Sequence, residues 1–117
     1  MAKKRKRRRP SVPTTEYADA DGNVLTLRQA LTPGTIAKIE EAIGRPGASA
    51  EGSWRRRQEI LFERLAVRWE IAGLPLTEQA MLLGRYRLAS QAEQTWVRET
   101  LDAHLERFLP ELVNPAG

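Results

Sequence analysis

Seven consecutive basic residues, Lys3, Lys4, Arg5, Lys6, Arg7, Arg8 and Arg9, are the densest concentration of chemistry in this chain. Ammonium and guanidinium groups side by side cannot neutralise one another. Together they attract a polyanion and displace its counterions. The 117 residues hold 19 Lys and Arg against 15 Asp and Glu. Setting the seven aside leaves 12 cations facing those 15 anions, so the rest of the chain is net negative by about three charges. The basic character belongs to a tail and not to the body. Nucleic acid is the commonest polyanion, followed by anionic lipid and acidic protein. A solvated tail that aids solubility is the plainer reading. Lys3-Lys4-Arg5-Lys6 also has the composition of a nuclear-import signal.

Two smaller basic groups lie further along. Arg55-Arg56-Arg57 falls in the first turn of an expected helix, where cations oppose the helix dipole, so an external anion or a nearby acid such as Glu51 or Glu59 is implied. Arg85-Tyr86-Arg87 sets two cations around an aromatic near a helix end, a composition suited to phosphate and base contact. The dipole explains that placement equally well. Arg85 and Arg87 also flank a partial helix-turn-helix pattern, in which Thr77, Ala80 and Gly84 have the small-residue spacing of the tight turn. That motif wants apolar packing where Arg85 and Ser90 stand, so a plain helical hairpin with Gly84 at a close crossing competes with it. Arg98 is the next cation along the following helix.

Catalytic groups are sparse. The single histidine, His104, sits in an apolar stripe, where an imidazole is normally a packed residue with satisfied nitrogens. There is no cysteine, which removes disulfides and thiolate chemistry. Gly44, Gly47 and Gly52 lack the Lys-Ser/Thr that completes a phosphate-binding loop. Asp19, Asp21 and Asn23 resemble the start of a calcium loop. However, Gly22 is fourth rather than sixth, and Ala30 stands where the bidentate acid belongs, so a turn is expected instead. No enzyme, cofactor or metal site is predicted.

The elements that position these groups follow from periodicity. Residues 1–14 are expected to be a disordered basic tail, 15–112 one mainly helical domain, and 113–117 a flexible end. Thr15 to Leu31 reads as a β-hairpin turning at Asp-Gly-Asn. A short helix over 33–43 follows, capped by Thr32, with Ile36, Ile39 and Ile43 on one side. A loop spans Arg45 to Gly52. A long second helix is predicted from Ser53 to Ala72, because Trp54, Leu61, Leu65, Trp69 and Ala72 share a face at about 100° per residue. Ile60, Val67, Ile71 and Phe62 widen that face, and Gly73 with Pro75 stops the helix. Thr77 caps a third helix to Leu88. Ser90 with Glu93 opens a fourth, to Leu109, as a capping box. The predicted fold is therefore a small helical bundle (cores 53–72, 77–88, 90–109) with a short helix and a small hairpin.

No apolar run reaches the ~18–20 residues of a membrane span, and Pro10-Ser11-Val12-Pro13 stands where a signal peptide needs an apolar stretch. A cytoplasmic, intracellular location is expected, with the nucleoid as one destination. The leading functional expectation is a small non-enzymatic accessory protein that binds DNA or RNA weakly through its arm, with Arg85 and Arg87 adding contacts and the domain meeting a protein partner. The alternative is a helical adaptor whose tail serves solubility or an acidic partner.

Overall fold

The computed structural model describes residues 12–43 and 50–113, with side chains in the second helix described from Arg55 onward. The order is β1 (Thr14–Ala18), β2 (Val24–Arg28), α1 (Pro33–Ile43), α2 (Ala50–Leu65), β3 (Ala66–Ile71), β4 (Leu74–Leu76), α3 (Gln79–Arg87), α4 (Gln91–Phe108) and a 3-10 turn at Pro110–Leu112. The four strands form one antiparallel sheet in the order β1-β2-β3-β4. This mixed α/β architecture overturns the predicted helical bundle. The tail expected over residues 1–14 also overlaps the sheet: Thr14 is already in β1, and the Pro13 carbonyl accepts from the Gln29 amide at 2.8 Å.

The error lies in the second helix, and its cause is physical. The helix begins at Ala50, so Ser53 does not cap it, and it ends at Leu65. Ala66–Ile71 then pairs with β2. The register slips between Thr26 and Leu27, so that Val67 is an extra residue on β3, a β-bulge. The bulge reverses the side-chain alternation, and the buried positions of β3, Ala66 and Trp69, lie three apart instead of two. Leu61, Phe62, Leu65, Ala66 and Trp69 are all buried, and their spacing mimics an uninterrupted helical stripe. The Ala72-Gly73 pair is likewise no helix stop. With φ of 53° and 79° it makes the two-residue reversal of the β3–β4 hairpin, whose backbone matches strand twist. Pro75 cannot donate to a ladder and sits on β4, an edge strand, where none is needed.

A cross-strand row, Tyr17–Leu25–Trp69–Leu76, joins all four strands. It meets Ile39 of α1, Leu61, Phe62 and Leu65 of α2, Leu82 and Tyr86 of α3, and Val97, Leu101 and Leu105 of α4 in one core. Trp69 packs edge-to-face on Phe62, with ring centroids 5.7 Å apart, and Phe62 stacks on Tyr86 at 4.9 Å. The core is therefore shared between sheet and helices.

The local capping chemistry divides. The Thr32 hydroxyl accepts from the Thr35 amide at 3.1 Å at the start of α1. Ser90 and Glu93 make the reciprocal capping box of α4. Thr77 does not cap α3, which begins after Glu78 with no side-chain cap. The first hairpin turns as its sequence demands: the Asp19 carboxylate accepts from the amides of Asp21 and Asn23, and Gly22 takes a φ of 83°. No calcium geometry is involved. The Asn23 side-chain carbonyl also accepts from the Ala72 amide at 3.0 Å, tying the two hairpin turns together.

Candidate functional site

Lys3, Lys4, Arg5, Lys6, Arg7, Arg8 and Arg9 lie outside the described residues, as do residues 45–49 of the loop expected from Arg45 to Gly52, whose last three residues belong instead to α2. The two folded cations predicted to touch nucleic acid are both held by acids. Arg85 donates through Nη2 to both Glu93 carboxylate oxygens, at 3.3 and 3.0 Å, with its guanidinium 5.4 Å from the Trp69 ring centroid. Arg87 grips Glu59 bidentately, Nη2 to Oε1 at 2.8 Å and Nε to Oε2 at 3.2 Å. That geometry fixes a guanidinium far better than a single contact does. The Ser90 amide, and then Arg85, hold the Glu93 carboxyl below its usual range, so it is ionised at neutral pH.

Neither a tight turn at Gly84 nor a close helix crossing there is found. Gly84 lies inside α3, and a Cβ built on it would meet nothing within 4 Å. The reversal between α3 and α4 falls instead at Leu88–Ser90. The pattern that suggested a helix-turn-helix therefore does not place Arg85 or Arg87 at the start of a recognition helix.

The fold does bring Arg87 to a cleft of about 500 Å³ where α2, the end of α3 and the first turns of α4 meet. Its lining is Arg55, Glu59, Tyr86, Arg87, Gln91, Gln94, Thr95 and Arg98. Three arginines and Glu59 supply the charged part of that lining, and Arg87 is the one shown paired with Glu59. The Gln94 side chain is pinned by donating to the Tyr86 carbonyl at 2.9 Å. Tyr86 itself is buried, with its ring stacked on Phe62, and it also lines the cleft. Burial, then the nearby Glu59 charge, raise the Tyr86 hydroxyl pKa against the opposing pull of Arg98 and Arg55, so the phenol stays protonated. The amino end of α4 adds the partial positive charge of its dipole.

Of these residues, the sequence singled out Tyr86, Arg87 and, as part of the Arg55–Arg57 group, Arg55, with Glu59 as an acid for that group and Arg98 as the next cation along the fourth helix. That group does not act as a unit: Arg57 is buried and donates to the Leu112 carbonyl at 3.0 Å, with Asp102 at 3.9 Å. Gln91, Gln94 and Thr95 were missed. The available signal was spacing, since Gln91, Gln94, Thr95 and Arg98 share one face of a helix, as do Arg55 and Glu59.

His104 is a structural residue. Its Nε2 lies 2.6 Å from the Arg28 carbonyl and its Nδ1 lies 2.7 Å from the Tyr17 hydroxyl. The carbonyl can only accept, so Nε2 carries the proton and Nδ1 accepts from Tyr17. Burial depresses the imidazole pKa, the Arg28 carbonyl opposes this, and Arg107 adds to the depression, leaving the ring neutral at pH 7. Among the described residues no helix is long and apolar enough to cross a membrane. Comparison of the chain with protein-family models, curated proteins and solved structures gives no match.

Proposed function

We propose that this chain is a small non-enzymatic intracellular accessory protein, held weakly and without sequence preference on DNA or RNA by its arm. The segregation of charge carries this reading: seven cations stand together at Lys3 to Arg9, and the remainder is net negative. A polyanion is drawn to the arm and held off most of the body, apart from the arginine-lined cleft. The engagement of Arg85 with Glu93 and of Arg87 with Glu59 supports an arm-dominated mode, because contacts already made to carboxylates add little for phosphate. The folded domain is left to meet a protein partner. Met81 on α3 and Leu88, the residue that caps its carboxyl end, are 51% and 85% exposed, and this exposed apolar surface favours this part of the reading. The same surface is what an adaptor without nucleic-acid function would use.

Binding of the full chain to duplex and single-stranded nucleic acid across a salt series tests the proposal. With seven cations the slope of log K against log salt should not exceed about −6. Removing residues 1–10 should abolish most of the affinity and leave thermal stability unchanged. Full affinity retained without the arm would overturn the tether.

A further inference from the structure

A second, smaller groove lies where the chain enters the sheet. Arg28 at the end of β2 and Arg64 in the last turn of α2 line it with Val12, Thr32, Thr35 and Gln79, and its lining includes no Asp or Glu. Both arginines are exposed. Arg57, Arg68, Arg85 and Arg87 stand beside Asp102, Glu70, Glu93 and Glu59, but among the described residues no acid pairs with Arg28 or Arg64. The carboxyl end of α2 favours a cation at Arg64, yet a dipole leaves its N–H donors unbonded. The backbone around the groove is fixed. The Arg28 carbonyl accepts from His104 Nε2 at 2.6 Å, and Gln29 donates its amide to the Pro13 carbonyl and its side chain to Thr15, each at 2.8 Å. The Thr32 hydroxyl donates to Thr35 Oγ1 at 2.9 Å, which leaves the Thr35 hydroxyl proton for another acceptor.

We propose that this groove seats one backbone phosphate of the nucleic acid that the arm attracts, held between Arg28 and Arg64. The site depends on the tether reading for its source of phosphate. Arg9 precedes Val12 by three residues, so at most about 11 Å of chain separates the arm's last cation from the groove. That span covers about three phosphate steps along one strand of a duplex. A strand drawn to the arm is therefore within reach of the groove whatever path the arm takes. The groove, of about 160 Å³, is smaller than the ~300–1,000 Å³ of sites that enclose a small molecule, so it admits a phosphate group and leaves the nucleoside outside. No aromatic ring lines it, so a base has nothing to stack on and sequence is not read. The arm supplies attraction and the groove supplies position. Two weak contacts on one chain strengthen each other through effective concentration.

The test uses the full-length chain in two forms, wild type and one with all seven Lys and Arg of residues 3–9 replaced by Ser. With the arm intact, Arg28→Gln together with Arg64→Gln should weaken binding of a short duplex about tenfold, whatever its sequence. The slope of log K against log salt should become shallower by about 1. Arg28→Lys with Arg64→Lys should keep most of the affinity, because phosphate also accepts an ammonium as a point charge. Both sites are exposed, so thermal stability should stay unchanged in all these variants. In the Ser-substituted chain, ¹⁵N-resolved NMR during titration with inorganic phosphate should shift the Thr35 amide and the Gln79 side-chain amide, a readout that needs no change in the groove. Wild-type affinity and slope in the double Gln variant, with no shift from inorganic phosphate, would overturn the groove and leave the tether standing. The same affinity and slope with a shift at the groove would overturn nucleic acid as the source of the phosphate. Equal duplex affinity in the wild-type and Ser-substituted chains, lost when Arg28 and Arg64 become Gln, would overturn the tether and leave a phosphate site.

Discussion

The two hairpins of the sheet are built from different materials and held in different ways. The first, β1–β2, turns through five residues whose side chains make the turn: the Asp19 carboxylate gathers the amides of Asp21 and Asn23, and Gly22 supplies the positive φ. The second, β3–β4, turns through Ala72 and Gly73 alone, with an alanine held at φ 53°. β1 and the end of β2 are fastened to α4 by a polar link, Tyr17–His104–Arg28. β3 is fastened by Trp69, 1% exposed between Phe62 and the neighbouring strands. A turn that encodes itself is free to use a polar, titratable anchor. A turn with weak local encoding depends on apolar burial elsewhere in its strand.

The largest test of that contrast is Trp69→Ala, which should destabilise the protein by about 3–5 kcal/mol in denaturant unfolding through the cavity it leaves. A loss below about 1 kcal/mol would show that β3 is held by something other than the ring.

Acid should find the first hairpin instead. The imidazole of His104 has its pKa depressed below the ordinary 6.5 in the fold, so the unfolded chain takes up a proton before the folded one does. Stability from this source is complete above pH 6.5 and declines as pH falls from there toward the depressed folded value. Amide exchange near pH 5 should quicken at Tyr17 and Arg28 before it does at Trp69 and Leu76. Equal acceleration in both hairpins would remove the distinction.

The smallest effect belongs to the second turn. Ala72→Gly should raise stability by roughly 0.5–1 kcal/mol, because glycine takes positive φ without the steric cost that alanine carries. A neutral result would mean that the bond from the Ala72 amide to Asn23 fully sets the turn's geometry.

The same contrast decides what was legible in the sequence. Asp19-Ala20-Asp21-Gly22-Asn23 announces a reversal because its side chains and its glycine do the turning. Thr32, Ser90 and Glu93 announce helix starts because the caps are local hydrogen bonds. Ile71-Ala72-Gly73-Leu74 announces nothing definite, since a glycine after an apolar run suits a helix end and a tight hairpin alike. The bulge at Val67 completes the disguise by giving a strand the burial period of a helix. What decides between the two is pairing with β2, a contact with residues some forty positions earlier that no local window contains. The candidate cleft follows the same rule. Its cations are visible as types, but Arg55, Arg87 and Arg98 become neighbours only once three helices have packed.

The pairing of β2 with β3 also has a consequence for how the chain reaches this state. Each hairpin closes over a handful of residues, and hairpins of that kind form in roughly 1–10 μs. Joining them requires the whole segment from Gln29 to Leu65, two helices included, to be looped back so that Leu25 meets Trp69. The loop-closure entropy is met before the Leu25–Trp69 contact returns anything, which makes this step the natural bottleneck. Until it is passed, β2 and β3 each present an unpaired edge rich in Leu, Val and Ile, and the nascent chain is at its most vulnerable to joining a second copy of itself.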